Sequence, residues 1–400
     1  GYLSRESFSP DYGLYRDRLK AASIATIKFN KKKGSALKTS RRNFIRSASA
    51  MGVLATLPGW AFSQSSAPKS LNILILGGTG FIGPHEINYA RSRGHTVTMF
   101  NRGKTAPDMF PDVETLIGDR DDQLDALKGR DWDAVIDNSG FYPRHVRLSA
   151  ELLDGNVGKY MFVSSVSAYD ADRLTLEDDE FTAAYAVMAD PTDESTANYG
   201  ARKALCEKEV AKVYGDDAIN VRPGIITGIG DPTERLRHWL RRMVAGNEIL
   251  VPGQDDLPVQ YIDAADMCGW MVRLLEAGTG SGPYNAVGAE EPYRARPLLE
   301  GLVESTGSAS TLTWIDWEWI RANTDEEPRY GPWYGQGPMP FMQVTNDRAL
   351  AAGLTFRPIA DTANDMIANL ETYGEPRRGR GGFAPELEAE LLAKWHAEKG

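Results

Sequence analysis

The chain has 400 residues, enough by length alone for two or three domains, and its 42% apolar and 10% aromatic content is that of a packed globular protein. Its formal charge of −10 is uneven: residues 1–63 carry 12 Lys/Arg against 3 Asp/Glu, which leaves −19 on residues 64–400 and argues against nonspecific nucleic-acid binding by that body. Two cysteines, Cys206 and Cys268, and five scattered histidines show no metal-ligand spacing, so buried free thiols and no metal are expected.

The first element in chain order reads as an address. Ser40-Arg41-Arg42-Asn43-Phe44-Ile45-Arg46 pairs two arginines ahead of apolar residues. The apolar stretch that follows, Ala48 to Trp60, is shorter than the roughly 20 residues that span a bilayer. Ala61-Phe62-Ser63 has the small-x-small form of a cleavage site. The segment is similar to a twin-arginine export signal, with Arg46 where that pattern has lysine. It implies the export machinery as a partner of the precursor, no stable membrane span, and a periplasmic or secreted mature protein. A basic amphipathic arm is the alternative reading. Residues 1–36 precede any normal signal, and translation is expected to start at Leu37.

Leu71 to Gly83 reads LNILILGGTGFIG. The apolar run suits a strand buried on both faces, and Gly77, Gly80 and Gly83 suit a tight turn into a helix where backbone must approach a phosphate. The helix start then offers free N–H groups and a positive dipole end to a pyrophosphate. An ordinary glycine-rich turn is the alternative. No Gly-Lys-Ser/Thr follows, which excludes a triphosphate loop. Thereafter the pattern predicts a helix over 81–94, strands at 96–100 and 114–117, a helix over 122–128, a strand at 133–137, a helix over 143–153 and a strand at 159–164. A polar loop spans 170–197, then a helix 199–214 and a strand 218–222. This grammar predicts an α/β protein: a doubly wound parallel (Rossmann) sheet over 64–222 with a smaller C-terminal substrate-binding lobe, 223–375, interleaved with it. The lobe opens with Pro and Gly, continues as a basic helix over 233–245, and gathers Trp314, Trp317, Trp319, Trp333 and Tyr334 as core or cleft wall. A tail, 376–400, holds an Arg/Gly turn, Arg377 to Gly382, and a helix over 384–397.

Three further signals follow the glycine turn. The second strand ends in Asn101-Arg102, where an NAD site usually places a carboxylate for the ribose; the neutral residue and the arginine favour NADP over NAD. Arg102 facing water is the alternative. Asp119, with Arg120 beside it, ends the third strand, where a carboxylate accepts from an adenine amino group; a plain surface turn reads equally well. Ser165 closes the strand before the polar loop, and Tyr199 stands four residues ahead of Lys203 on one helical face. A tyrosine hydroxyl of pKa about 10 is a poor base at neutral pH, and a neighbouring ammonium lowers it.

In this order the residues resemble the extended short-chain dehydrogenase/reductase superfamily, in its NAD-dependent epimerase/dehydratase branch, over about residues 71–375. Val221-Arg222-Pro223-Gly224 and Tyr261-Ile262-Asp263 are similar to later landmarks of that family, and Phe100-Asn101-Arg102-Gly103 is similar to its chloroplast stem-loop RNA-binding relatives. The resemblance implies Tyr199 as acid/base, Lys203 as the group that lowers its pKa and binds ribose, and Ser165 as the group that positions the reacting hydroxyl. It implies a tightly bound NADP or NAD contacted by Gly77, Thr79, Gly80, Phe81, Ile82, Gly83, Asn138, Ser139, Gly140 and Gly224. Two departures count against particular members. Val166 and Ser167 stand where sugar-nucleotide 4,6-dehydratases carry Asp-Glu, and Ile225 stands where nucleotide-sugar enzymes carry Asn. The expected activity is that of an exported NAD(P)-dependent epimerase or oxidoreductase acting by Tyr-Lys-Ser-assisted hydride transfer at a secondary alcohol or ketone of a sugar-like substrate. An NADPH-dependent carbonyl reductase and a nucleotide- or RNA-binding relative are the alternatives, and a homodimer is compatible with each.

Overall fold

The apolar run that opens the body forms β1 (Asn72–Leu76), with Ile73 to Leu76 fully buried, as a strand covered on both faces requires. The computed structural model describes residues 69–187, 199–233, 235–253, 255–326, 340–373 and 382–399. After β1 come α1 (Gly83–Ser92), β2 (Thr96–Asn101), β3 (Glu114–Ile117), β4 (Trp132–Asp137), α2 (Pro143–Leu153), β5 (Val157–Val163), α3 (Tyr199–Tyr214) and β6 (Ala218–Pro223). The later half holds β7 (Ile225–Thr227), α4 (Arg237–Ala245), β8 (Ile249–Pro252), β9 (Pro258–Val259), β10 (Tyr261–Asp263), α5 (Ala264–Ala277) and β11 (Gly282–Ala286). It ends with β12 (Tyr293–Arg294), α6 (Ala295–Ser305), β13 (Leu312–Ile315), α7 (Trp317–Asn323), α8 (Asp347–Ala351), α9 (Ile359–Ala368) and α10 (Pro385–Lys399).

Seven strands form one parallel sheet in the order β11-β6-β5-β4-β1-β2-β3. The chain winds outward from β1 to β3, then returns to start β4 on the other side of β1. The carboxyl ends of β1 and β4 therefore diverge into a crevice, the place where such sheets bind ligands. The lobe has its own core, in which Trp239, Leu240, Leu250, Leu299, Ile315 and Leu391 are buried together. It is tied back to the sheet by β11, which pairs with β6, and by α5, which packs on α1. Among the described residues no helix is long and apolar enough to cross a membrane.

Several expected boundaries move, for local reasons. The helix expected over 122–128 is only a short 3-10 turn at Asp125–Leu127, because the backbones of Asp119 and Gln123 pair and fold 119–123 into a loop. α1 starts at Gly83, since Phe81 and Ile82 belong to the turn and Pro84 sits in the first helical turn. α4 starts at Arg237, not 233. Trp317 is buried and Trp314 half-buried, while Trp319 meets Trp395 of α10 edge-on at 5.1 Å. Both cysteines are buried and free. The export signal, residues 188–198 of the polar loop, Trp333, Tyr334 and Arg377 to Gly381 lie outside the described residues.

One buried ion pair braces the crevice. Arg120 reaches under the sheet end to both oxygens of Asp137, at 2.5 and 2.7 Å, and to Ser149 Oγ of α2 at 2.5 Å. Tyr160 donates to the same carboxylate at 2.7 Å. Removing one partner strands the other charge in the interior, so Asp137→Ala should lower stability by about 3–5 kcal/mol in urea unfolding. A loss below about 1 kcal/mol would show that water reaches Arg120 after all.

Candidate active site

The turn after β1 is built from glycine for three separate reasons. Gly77 and Gly78 have φ of +119° and +95°, which side chains disfavour. A Cβ on Gly83 would lie 2.4 Å from the Gly78 carbonyl oxygen, so α1 can close onto the turn only without one. Around Gly80, by contrast, no heavy atom lies within 4 Å of a Cβ position. The protein itself leaves that space open, at a helix start whose N-cap, Ile82, has no side-chain cap. A pyrophosphate fits these terms: open space beside Gly80, a helix start without a side-chain cap and the positive dipole end. Thr79, Phe81 and Ile82 line the same turn and are half-buried.

The other predicted cofactor residues surround it unequally. Asn138 and Ser139 follow β4, and their Cβ atoms lie 3.6 and 3.7 Å from a Cβ position on Gly77. Ser139 Oγ donates to Leu76 O at 3.1 Å, fastening the two strand ends together. Gly140 is packed so tightly that a Cβ would meet the Phe162 ring at 2.4 Å. Gly224 lies against Val287 at the β6–β7 junction. Asn101 is engaged with the turn: its Oδ1 accepts from the Gly103 amide at 2.8 Å and its Nδ2 donates to Gly77 O at 3.3 Å. Arg102 is exposed. Asp119 is half-buried and its Oδ1 accepts from the Asp121 amide at 3.1 Å. Arg120 is the correction: its side chain is turned inward onto Asp137 and Ser149, so it supports the crevice instead of lining it.

Ser165, Tyr199 and Lys203 converge beside this crevice. Ser165 follows β5 and its Oγ accepts from the Ser167 amide at 3.1 Å, which fixes the rotamer. The Ser165 hydroxyl also hydrogen-bonds the Tyr199 phenol oxygen. Burial pushes the Tyr199 phenol above its ordinary value, while that hydrogen bond and the Arg235 and Arg202 guanidinium groups pull it back. Lys203 lies 5.9 Å from the centroid of the Tyr199 ring. Its Nζ donates to Gly140 O and to Val163 O, both at 2.8 Å, so one ammonium ties α3 to the ends of β4 and β5. Burial lowers its pKa to about 8. Tyr169 stands apart from this group, with its hydroxyl donating to Asn285 Oδ1 at 2.7 Å and accepting from Arg222. Among the described residues no three His, Cys, Asp or Glu side chains gather as a metal site.

Sequence reasoning missed Gly78, Arg235 and Glu86. Gly78 had a visible signal, the doubled glycine in Leu76-Gly77-Gly78. Glu86 had one too, because it lies three residues after Gly83 on the face that buries Ile87 and Ala90.

The sequence profile of the NAD dependent epimerase/dehydratase family matches residues 73–287. The chain belongs to that family. It is thus an enzyme of a nicotinamide-dinucleotide-dependent group. A 3-beta-hydroxysteroid dehydrogenase of Mycolicibacterium neoaurum is 22% identical over 287 residues, 62% of this chain and 76% of the relative. Among solved structures, the Bordetella bronchiseptica enzyme WbmH in complex with NAD+ aligns with a TM-score of 0.56 at 16% identity, covering 76% of this chain and 100% of the other. UDP-N-acetylglucosamine 4-epimerase from Bacillus cereus aligns with the same TM-score at 15% identity, covering 78% of this chain and 100% of its own. At such identities these two structures speak for the fold.

Gly83 and Gly80 separate folding from binding. Gly83→Ala should destabilise the protein by about 1–3 kcal/mol and weaken dinucleotide binding as well. Gly80→Ala should leave stability within about 0.5 kcal/mol yet weaken binding at least tenfold, read by thermal unfolding beside fluorescence titration with NAD+. Full affinity in Gly80→Ala would move the phosphate away from this turn.

Proposed function

We propose that the protein interconverts a secondary alcohol and its ketone by hydride exchange with a tightly held dinucleotide, with Tyr199 as acid/base. The observation that carries this is the Ser165–Tyr199 hydroxyl pair, set beside a lysine bonded to the strand ends that flank the glycine turn. When bound, the dinucleotide supplies the hydride acceptor and donor. Tyr199 takes the proton of the substrate hydroxyl as the C–H bond breaks, and returns it when the carbonyl is reduced. Ser165 holds the phenol oxygen and the substrate oxygen in one hydrogen-bonded line. Lys203, buried with its ammonium on Gly140 O and Val163 O, fastens the start of α3 to the strand ends and so positions Tyr199.

The substrate class is a sugar-like secondary alcohol or a ketone of similar size. The family supports an epimerase or an oxidoreductase, and the relatives include both sugar epimerases and a hydroxysteroid dehydrogenase. Val166 and Ser167 occupy the short turn after Ser165 and bring no acidic pair, so elimination by the 4,6-dehydratase route has no base there. Ile225 opens β7 and is buried, which removes an amide from that wall. Exposed Arg102 supports NADP.

The paired arginines at Arg41 and Arg42 support export in the folded state, to the periplasm or beyond. Outside the cytoplasm free dinucleotide is scarce. An enzyme that restores its cofactor within each cycle, as an epimerase does, or one that couples two substrates, fits that setting better than a reductase that exhausts it.

Purified protein should therefore carry dinucleotide through gel filtration, seen by mass spectrometry after denaturation; its absence would end the captive-cofactor reading. Tyr199→Phe should keep the dinucleotide but lose turnover by roughly 10²-fold or more. Unchanged turnover would remove Tyr199 from the acid/base role.

A further inference from the structure

Glu86 is fully buried in the first turn of α1. An acidic residue near a helix start ordinarily helps, because the carboxylate meets the positive end of the dipole. Here that same positive end faces the place where a pyrophosphate docks. An ionised Glu86 would compete for the dipole and repel the phosphate from behind. Besides that dipole, a single amide hydrogen bond is all that favours the ion. Its one hydrogen bond comes from a neutral amide, Asn138 Nδ2 to Oε2, at 2.5 Å. Its other oxygen, Oε1, is buried without a partner, as is Asn138 Oδ1.

The groups packed around it are uncharged or negative. On α5, Cys268 faces Glu86, its thiol pushed up chiefly by burial, and its Sγ donates to Ile82 O at 3.6 Å. Asp263 caps α5 and accepts from Thr362 at 2.7 Å, with Arg357 at 3.9 Å on its far side. His85, next along α1, bonds Ile229 O at 2.8 Å, and burial lowers its pKa. On β4 the nearest carboxylate, Asp137, is already matched by Arg120. No cation is bonded to Glu86, and burial pushes its carboxyl up to about 8.

We propose that Glu86 works as an uncharged acid, clamping Asn138 to the underside of the glycine turn, and that its ionisation in alkaline solution loosens the dinucleotide. Glu86 is thus a positioning residue that acts through Asn138 and the helix end. Asn138 joins two elements, since its backbone amide donates to Leu76 O at 3.2 Å while its side chain holds α1. A charge at Glu86 pulls on that link and opposes the phosphate at once. The inference rests on the dinucleotide reading above.

The sign of the stability effect follows from the raised acid. Between pH 4.5 and about 8 the folded protein keeps a proton that the unfolded chain gives up, so this group's contribution to stability falls as pH rises across that window and is level above it.

The test is a titration of the dinucleotide-free protein with NAD+ and NADP+ across pH 6.5 to 9.5, approximate limits that bracket that carboxyl. Wild type should lose at least tenfold in affinity above pH ~8, and Glu86→Gln, which keeps a neutral group of the same shape, should hold its affinity over the range. An identical alkaline loss in Glu86→Gln would assign the effect elsewhere, Lys203 first, and overturn the proposal. If Glu86→Gln does not fold, infrared difference spectra of the wild type between the same pH limits decide: a buried carboxylic-acid carbonyl band must vanish as affinity falls, and no such band overturns it. Binding with a pH-independent affinity sinks this inference alone, whereas no binding at any pH sinks the dinucleotide reading as well.

Discussion

A Cβ on Gly83 would lie 2.4 Å from the carbonyl oxygen of Gly78, and on this contact the arrangement of the crevice depends. Because residue 83 has no side chain, α1 begins directly against the turn, at a helix start without a side-chain cap. The sheet order supplies the crevice itself, since β1 and β4 are neighbours whose following segments leave in opposite directions. A helix set one ångström further back would open the turn, and the phosphate would meet solvent instead of backbone donors.

The strand ends are then locked by polar side chains. Ser139 binds Leu76 O, Lys203 binds Gly140 O and Val163 O, and Arg120 crosses below to Asp137. The first two residues join neighbouring strand ends or a strand and a helix, and Arg120 ties the segment after β3 to β4, with β1 and β2 between them. A second buried pair does the same further along the sheet, where Arg222 of β6 meets Glu207 of α3 with both side chains sealed from water. Such pairs add little net stability, but they tolerate only one register, because a slip would strand a charge. Tyr199 inherits that precision, since it opens the same helix, α3, that Lys203 and Glu207 fasten.

The frame of the fold and the meeting of Ser165, Tyr199 and Lys203 were legible because both depend on local rules. Apolar runs mark buried strands, Gly77 and Gly83 answer to backbone geometry, and Tyr199 and Lys203 share a face by helical spacing. What could not be read is where long side chains turn. Arg120 beside Asp119 looks like a cofactor residue in one dimension, and only the position of β4 and α2 shows that it points inward. Lys203 was expected near the phenol, yet burial between Phe141 and Phe162 directs its ammonium to two carbonyls. The short turn at Asp125–Leu127 failed as a helix because a backbone pair at Asp119 and Gln123 outcompeted weak local propensity.

Asn101 shows how one residue answers two demands. Its missing charge suggested room for a 2′-phosphate. In the structure the amide has a closer task, since Oδ1 accepts from Gly103 while Nδ2 donates to Gly77 O. An aspartate could keep the first bond but not the second, and its charge would face the Gly77 carbonyl at hydrogen-bond distance. The turn therefore requires an amide whatever the cofactor, and the neutral residue at 101 carries no independent information about the 2′ position. The choice between NADP and NAD falls on Arg102 alone, whose exposed guanidinium stands one residue beyond the turn it does not help to build.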